Sequence, residues 1–363
     1  MSRSKGRRVK EKPRKKGHKG LLFFSIIVIV LIAAILSAYF FVLGKINLVN
    51  NVEINKDNLA INNNANEELK GYRNIALFGI DSRAEDDYGE GNRSDCIIIA
   101  SINQDTNAVQ LISIYRDTYV QIENHGLDKI THAYSYGGPE LALNTLNANL
   151  DLNIEEFVAV NWKAVADAVD LLGGVTIDVE KNEISQINKY VYETAKSVGK
   201  KAKRVTKSGE QTLNGVQAVT YARIRKTSGG DYKRAERMRT VIEAMVDEAK
   251  TKSLSELNEI ANEILPEIST NISATEILSL IPTALSFNID KSIGWPYETK
   301  GYSHNGWYGI PVTLKSNVEK LHKEVFGQED YEPSETLLEI NKKIINRTGY
   351  TSDTSAVTNT TVY

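Results

Sequence analysis

Leu21 to Leu43 is an uninterrupted apolar run in which Ser25, Ser37 and Tyr39 are the only mildly polar members. Coiled as a helix rising about 1.5 Å per residue, it is long enough to cross a hydrocarbon core roughly 30 Å thick. The run therefore predicts a membrane span, and everything after it must fold on one side of that membrane. It is longer than the apolar region of a signal peptide, and it closes on Tyr39, Phe40 and Phe41, residues that favour the membrane interface. A retained anchor is expected.

Residues 1–20 carry Arg3, Lys5, Arg7, Arg8, Lys10, Lys12, Arg14, Lys15, Lys16 and Lys19 against a single acid, Glu11. Such a block has too little apolar surface to fold alone. Positive charge stays on the cytoplasmic side, so the reading is a basic cytoplasmic tail (1–20) and one transmembrane helix (21–43), with the remainder outside a single-pass cell membrane. The whole chain sums to −2, so the outer part is acidic once the tail is set aside. That balance argues against a nucleic-acid partner, which needs a basic surface. The lone cysteine, Cys96, excludes an internal disulfide or a cysteine-cluster metal site, and its neighbours Ile97, Ile98 and Ile99 mark it as a core residue.

Beyond the span, residues 44–71 are rich in Asn and poor in large apolar side chains, which suits an extracellular linker. The main domain is expected over 72–330. Asn74 to Ile80, Cys96 to Ile102 and Val109 to Tyr115 are short Ile- and Val-rich runs bounded by polar turns, as buried strands are. A helical pattern opens at Pro139 and runs to Leu150, and another spans Trp162 to Leu172 before Gly173-Gly174. With strands at Phe157 to Asn161 and Val175 to Val179, this is the alternation of a layered α/β domain. Helices dominate from Asn214 to Leu285. The segment 331–363 reads as an extension, mostly disordered from about Tyr350.

Chemistry concentrates at strand ends. Gly79-Ile80-Asp81-Ser82-Arg83 closes the first strand, Arg93-Ser94-Asp95 opens the second and Tyr115-Arg116-Asp117-Thr118 closes the third. Carboxylates suit a hard divalent ion, and guanidinium groups clamp phosphate oxygens in pairs. Taken singly, each Arg beside an Asp is also what a solvated surface ion pair looks like. A second set of cations follows in Arg223, Arg225 and Lys226, then in Arg234, Arg237 and Arg239 on a helix packed through Met238, Val241, Ile242 and Met245. Arg234 and Arg237, three apart, are expected to share a face near a helix amino terminus, where phosphate is favoured. The histidines lack metal-ligand spacing, and neither Ser82 nor Ser94 has a nearby histidine to act as base.

Six segments in order carry a family resemblance: Asn74 to Arg83, Arg93 to Asp95, Ser113 to Thr118, Asp128 to Tyr134, Leu171 to Val175, and Leu213 to Ala218 continuing through Arg237. Across them the chain resembles the LytR-CpsA-Psr family of cell-wall glycopolymer transferases. The resemblance implies an α/β/α sandwich with a mixed central sheet and an apolar lipid-binding groove. It also implies transfer of an anionic glycopolymer, such as wall teichoic acid or capsular polysaccharide, from a polyprenyl-pyrophosphate carrier to peptidoglycan.

Carried over position by position, Asp81 and Asp95 look like ligands of Mg2+. Arg83, Arg116, Arg223, Arg225 and Arg234 look like pyrophosphate contacts, with Arg93, Lys129 and Arg237 beside them. Asp117 or Asp231 is left as the base that takes the acceptor proton. Met238 departs from the glutamine that family members commonly carry there. The other readings of the same motifs are a polyprenyl-pyrophosphate hydrolase, a membrane-anchored regulator and a non-catalytic lipid or glycan binding module.

Overall fold

The computed structural model describes residues 49–80, 88–303 and 306–358. The expected tail and span, together with Asp81 and Arg83, lie outside them. No helix among the described residues is long and apolar enough to cross a membrane.

In chain order the elements are β1 (Asn50–Asn51), α1 (Asn63–Glu68), β2 (Tyr72–Ile80), β3 (Ser94–Asn103), β4 (Ala108–Ile114), β5 (Tyr119–Ile122), β6 (Gly126–Lys129) and α2 (Ile130–Leu150). There follow β7 (Glu156–Asn161), α3 (Trp162–Leu171), β8 (Val175–Val179), α4 (Lys181–Ser197), β9 (Gly209–Leu213), α5 (Gly215–Ala222), α6 (Gly230–Lys250) and α7 (Leu254–Ile264). The chain continues through β10 (Ile268–Thr270), α8 (Ala274–Ala284), β11 (Asn288–Trp295), β12 (Glu298–Ser303), β13 (Trp307–Pro311), α9 (Leu314–Phe326), α10 (Glu335–Thr348) and β14 (Val357–Thr358).

A seven-stranded sheet runs in the order β1-β10-β7-β2-β3-β4-β11. It is mixed: β2, β3 and β4 form an antiparallel meander, while β7 lies parallel to β2 and β11 parallel to β4. Its central strands read as continuous apolar runs because both faces are covered. Phe78, Ile80, Ile97, Ile99 and Ile112 pack on the side of α2, α9 and α10. Ile98, Val109 and Leu111, with Leu77 and Ala100, face the side of α3, α4, α5 and α6. The result is a three-layer α/β/α arrangement. α2 is broken at Gly137 and Gly138, whose backbone is non-helical, so Pro139 restarts the helix as its sequence position implies.

Two boundaries differ from expectation. The segment expected to be a linker to residue 71 is part of the fold from β1 onward. β1 pairs with β10, and Leu59 and Leu69 have no exposed surface. Its asparagines cap and tether: Asn62 Oδ1 accepts from Ala65 N at 2.7 Å to start α1. Few apolar residues suffice there because Leu59, Ala65 and Leu69 are buried and Val52, Ile54 and Ile61 pack partly against the same core.

The C-terminal extension is likewise built in. α10 buries Leu337, Ile340 and Ile344, one helical face, against the core that α2 shares. The Asp151 carboxylate accepts from Tyr331 Oη at 2.5 Å, Ser334 N at 2.7 Å and Ser334 Oγ at 2.6 Å. β14 pairs with β12, so residues expected to be disordered add a strand edge. A two-residue strand is too short to leave a periodic signature.

Candidate active site

The meander brings the end of β2, the start of β3 and the end of β4 to one edge of the sheet, the edge where β7 and β11 also finish. There the β2–β3 register slips: Gly79 pairs with Cys96 and Ile80 with Ser94, leaving Asp95 as the extra residue of a bulge. Bulges re-aim side chains, and this one turns Asp95 out of the ladder. Gly79 permits it, because a Cβ there would lie 2.7 Å from the Cβ of Cys96.

Three guanidinium groups converge on Asp95. Arg116 Nη1 donates to Oδ1, Arg225 Nη2 lies 3.3 Å from Oδ2, and Arg234 Nη1 stands 3.8 Å from Oδ2 while its Nη2 donates to the Asp95 carbonyl at 3.3 Å. Arg116 comes from the end of β4, Arg225 from the segment after α5 and Arg234 from the first turns of α6, so widely separated residues meet at one carboxylate. Gly229 and Gly230 lead into α6 with φ of 90° and 53°, which keeps the turn free of side chains near its amino terminus.

Two further carboxylates complete the rim. Asp117 Oδ1 is 2.8 Å from Lys129 Nζ. Asp231 Oδ1 lies 3.4 Å from both Arg225 Nε and Arg234 Nε but is buried without a hydrogen bond. Burial pushes the Asp231 carboxyl above the usual carboxylate range, and the negative charge of Asp117 and Asp95 adds to this against the pull of Arg225 and Arg116. The described residues contain no cluster of three or more metal-ligating side chains. The carboxylates at this edge, Asp95, Asp117 and Asp231, are oxygen donors of the kind a hard ion such as magnesium takes.

Of the other residues singled out from sequence, Arg93 is exposed at the head of β3. Arg223 sits with its guanidinium 5.6 Å from the Trp162 ring centre, one cavity further along. Arg237 is corrected: it does not face the site. It is 1% exposed and donates to Glu183 Oε1 at 2.6 Å, beneath the floor. About 60° of helical rotation separates residues three apart, enough to send Arg234 to Asp95 and Arg237 to α4.

Two cavities of about 310 Å3 flank the Asp95 cluster, and Asp95, Arg234 and Met238 belong to the walls of both. Below them on α6, one turn past Met238, Ile242 begins the wall of a third cavity of about 510 Å3. Sheet residues such as Leu77, Ala100 and Leu111 form its floor, and Leu257, Ile260 and Ile264 of α7 with Ile277 and Ile281 of α8 form its roof. α7 has no fully buried residue, and its apolar stripe of Leu257, Ile260, Ala261 and Ile264 lines this space. One face of α6 thus runs from a cationic end to an apolar trough. Sequence reading missed the trough walls contributed by α7 and α8; their signal was an amphipathic helix pair following the arginine helix.

The chain is an α/β/α sandwich with arginines and carboxylates at one sheet edge and an apolar trough behind them. The family model LytR_cpsA_psr matches residues 40–323, and the chain belongs to that family. It is 33% identical over 235 residues to the polyisoprenyl-teichoic acid–peptidoglycan teichoic acid transferase TagT of Bacillus subtilis strain 168, covering 62% of this chain and 69% of that one. Among solved structures it is similar to TagV of B. subtilis, at 28% identity and a TM-score of 0.56 over 73% of this chain and 99% of that one. It is also similar to YwtF (TagT) with bound octaprenyl pyrophosphate lipid, at 25% identity and a TM-score of 0.51 over 78% of this chain and 92% of that one.

Proposed function

We propose that this protein transfers an anionic glycopolymer from a polyprenyl-pyrophosphate carrier to peptidoglycan, working at the outer face of the membrane that the apolar run anchors it to. The observation that carries the reading is the single face of α6 that joins the arginine cluster to the apolar trough. A prenyl chain fits the trough, where each buried methylene contributes roughly 0.8 kcal/mol. Its pyrophosphate then falls beside Arg116, Arg225 and Arg234. The names of the relatives, a teichoic acid transferase and a structure with a prenyl pyrophosphate, support the same assignment.

In the proposed step an acceptor hydroxyl oxygen attacks the phosphorus that bears the glycan. The new P–O bond forms as the bridging P–O bond breaks, and prenyl monophosphate leaves with that electron pair. Arg116, Arg225 and Arg234 hold the phosphate oxygens in place and neutralise them as charge moves to the leaving group. Asp231 takes the hydroxyl proton: it lines the cavity beside the arginines, and burial raises its affinity for a proton above that of an ordinary aspartate. Asp95, with Asp81, would hold Mg2+, which supplies further charge neutralisation on the pyrophosphate.

The test is transfer of a labelled polyprenyl-pyrophosphate glycan to peptidoglycan fragments by the full chain in detergent, with magnesium present or chelated, for wild type and Asp95→Ala. Transfer that needs the metal and is lost in the variant supports the reading. Release of prenyl phosphate with no attachment to the acceptor would make the protein a hydrolase instead.

A further inference from the structure

The two cavities beside Asp95 differ in charge and in lining. One carries Arg223, Arg225, Lys226 and Arg234 against Asp95 and Glu193, an excess of positive charge. The other carries Arg116 and Arg234 against Asp95, Asp117 and Asp231, an excess of negative charge. A polyanionic donor is favoured in the first; in the second its phosphates meet cations only beside Asp95, at Arg116 and Arg234, and Asp117 and Asp231 disfavour them beyond that. A ligand that brings hydroxyl donors instead of phosphates is suited to the second.

That second cavity also has an aromatic wall. Trp307 is 45% exposed at its rim. The indole lies against two glycines: a Cβ on Gly301 would be 2.8 Å from its Nε1, and one on Gly309 would be 3.4 Å from its ring. Held against these glycines, the indole still keeps nearly half of its surface exposed at the cavity rim. Gly309 N donates to the Asp117 carbonyl at 2.9 Å, so the platform is tied to the segment that carries a carboxylate of the same cavity. Tyr232, edge-on to Tyr115 at 4.5 Å and hydrogen-bonded to Thr299 Oγ1 at 2.7 Å, stiffens the adjoining wall. A flat apolar face beside carboxylates that accept hydroxyl protons is the chemistry that recognises a pyranose ring.

We infer that the cavity between Trp307 and Asp231 is the subsite for the acceptor saccharide, which stacks on the indole and presents its hydroxyl to Asp231. The inference rests on the transferase reading above and adds direction to it: donor and acceptor approach from opposite sides of the wall formed by Asp95, Arg234 and Met238.

The experiment compares wild type, Trp307→Ala and Trp307→Phe as full chains in detergent, with a labelled prenyl-pyrophosphate glycan and peptidoglycan oligosaccharide. Trp307→Ala is expected to raise the acceptor KM by about tenfold, the scale of one lost aromatic contact. Donor KM and release of prenyl phosphate into water in the absence of acceptor should not change, and Trp307→Phe should recover most of the loss. A rise in donor KM with acceptor KM unchanged would overturn the inference and put the donor glycan on the indole. Calorimetric binding of the oligosaccharide alone reads the subsite without turnover: equal affinity in wild type and Trp307→Ala also overturns it. Absence of transfer by wild type that nonetheless binds the oligosaccharide through Trp307 would refute the transferase reading and leave the subsite standing.

Discussion

Arg237 Nε donates to Glu183 Oε1 at 2.6 Å, and each of the two side chains keeps only 1% of its surface in solvent. The same guanidinium donates to the Ile224 carbonyl at 3.2 Å and to Thr227 Oγ1 at 2.8 Å, while Glu183 Oε2 accepts from Glu180 N at 2.9 Å where α4 begins. One buried pair therefore joins α4, α6 and the segment 224–227, and that segment carries Arg225 to the site. Arg237 acts on the arginine cluster by fixing the segment that carries Arg225.

Removing one partner leaves a buried charge uncompensated, so Glu183→Ala should cost about 3–5 kcal/mol of stability. Denaturant titration of the detergent-solubilised chain measures it. The double variant Glu183→Leu, Arg237→Met should come closer to wild type in stability while still weakening donor binding, because segment 224–227 loses its anchor. A single variant as stable as wild type would show that the pair is not buried as described.

Gly79→Ala should destabilise by about 1–3 kcal/mol, the range for forcing a methyl group into packed space. Its Cβ would meet Cys96 2.7 Å away, and relief of that contact straightens the bulge that aims Asp95. Transfer activity should fall further than stability does. An Ala variant with full activity would mean that the bulge does not position Asp95.

Asp231 ionises above the usual carboxylate range because of burial. As the proton acceptor it works only when ionised, so kcat/KM should fall as pH drops through that raised value, at a higher pH than an ordinary aspartate would give. In Asp231→Asn the rate should drop by about 100-fold or more, and the acid limb should disappear from what remains. A pH profile unchanged in the Asn variant would exclude Asp231 as the base.

Ala100→Phe places a ring in the apolar trough. Donors with a long prenyl chain should bind about tenfold more weakly or worse, since each methylene displaced from the trough forfeits roughly 0.8 kcal/mol. A donor trimmed to a short prenyl chain should bind as it does to wild type. Equal losses for both chain lengths would argue that the trough does not hold the tail.

The central strands were legible because burial on both faces leaves a local mark, an unbroken run of branched apolar residues such as Ile97 to Ile99. The Arg and Asp pairs at the strand ends were legible for a related reason: side chains there have left the core, so a charged residue is tolerated only where solvent or a ligand meets it. Residues 50–71 and the C-terminal strand were misread because their order comes from tertiary hydrogen bonds and a few fully buried side chains, Leu59 and Leu69 among them, which leave no periodic pattern.

What the sequence by itself determined was local. It set the strands, the helix after Gly229-Gly230, the glycine that lets Asp95 bulge, and the residues that can hold a phosphate. The tertiary structure alone decided which of those residues gather at the sheet edge. Arg234 and Arg237 are chemically identical and three residues apart, yet one reaches Asp95 at the site and the other a buried glutamate behind it. Their difference is a fraction of a helical turn, fixed by how α6 packs between the sheet and α4, and packing between distant segments is not written in the identity of neighbouring residues.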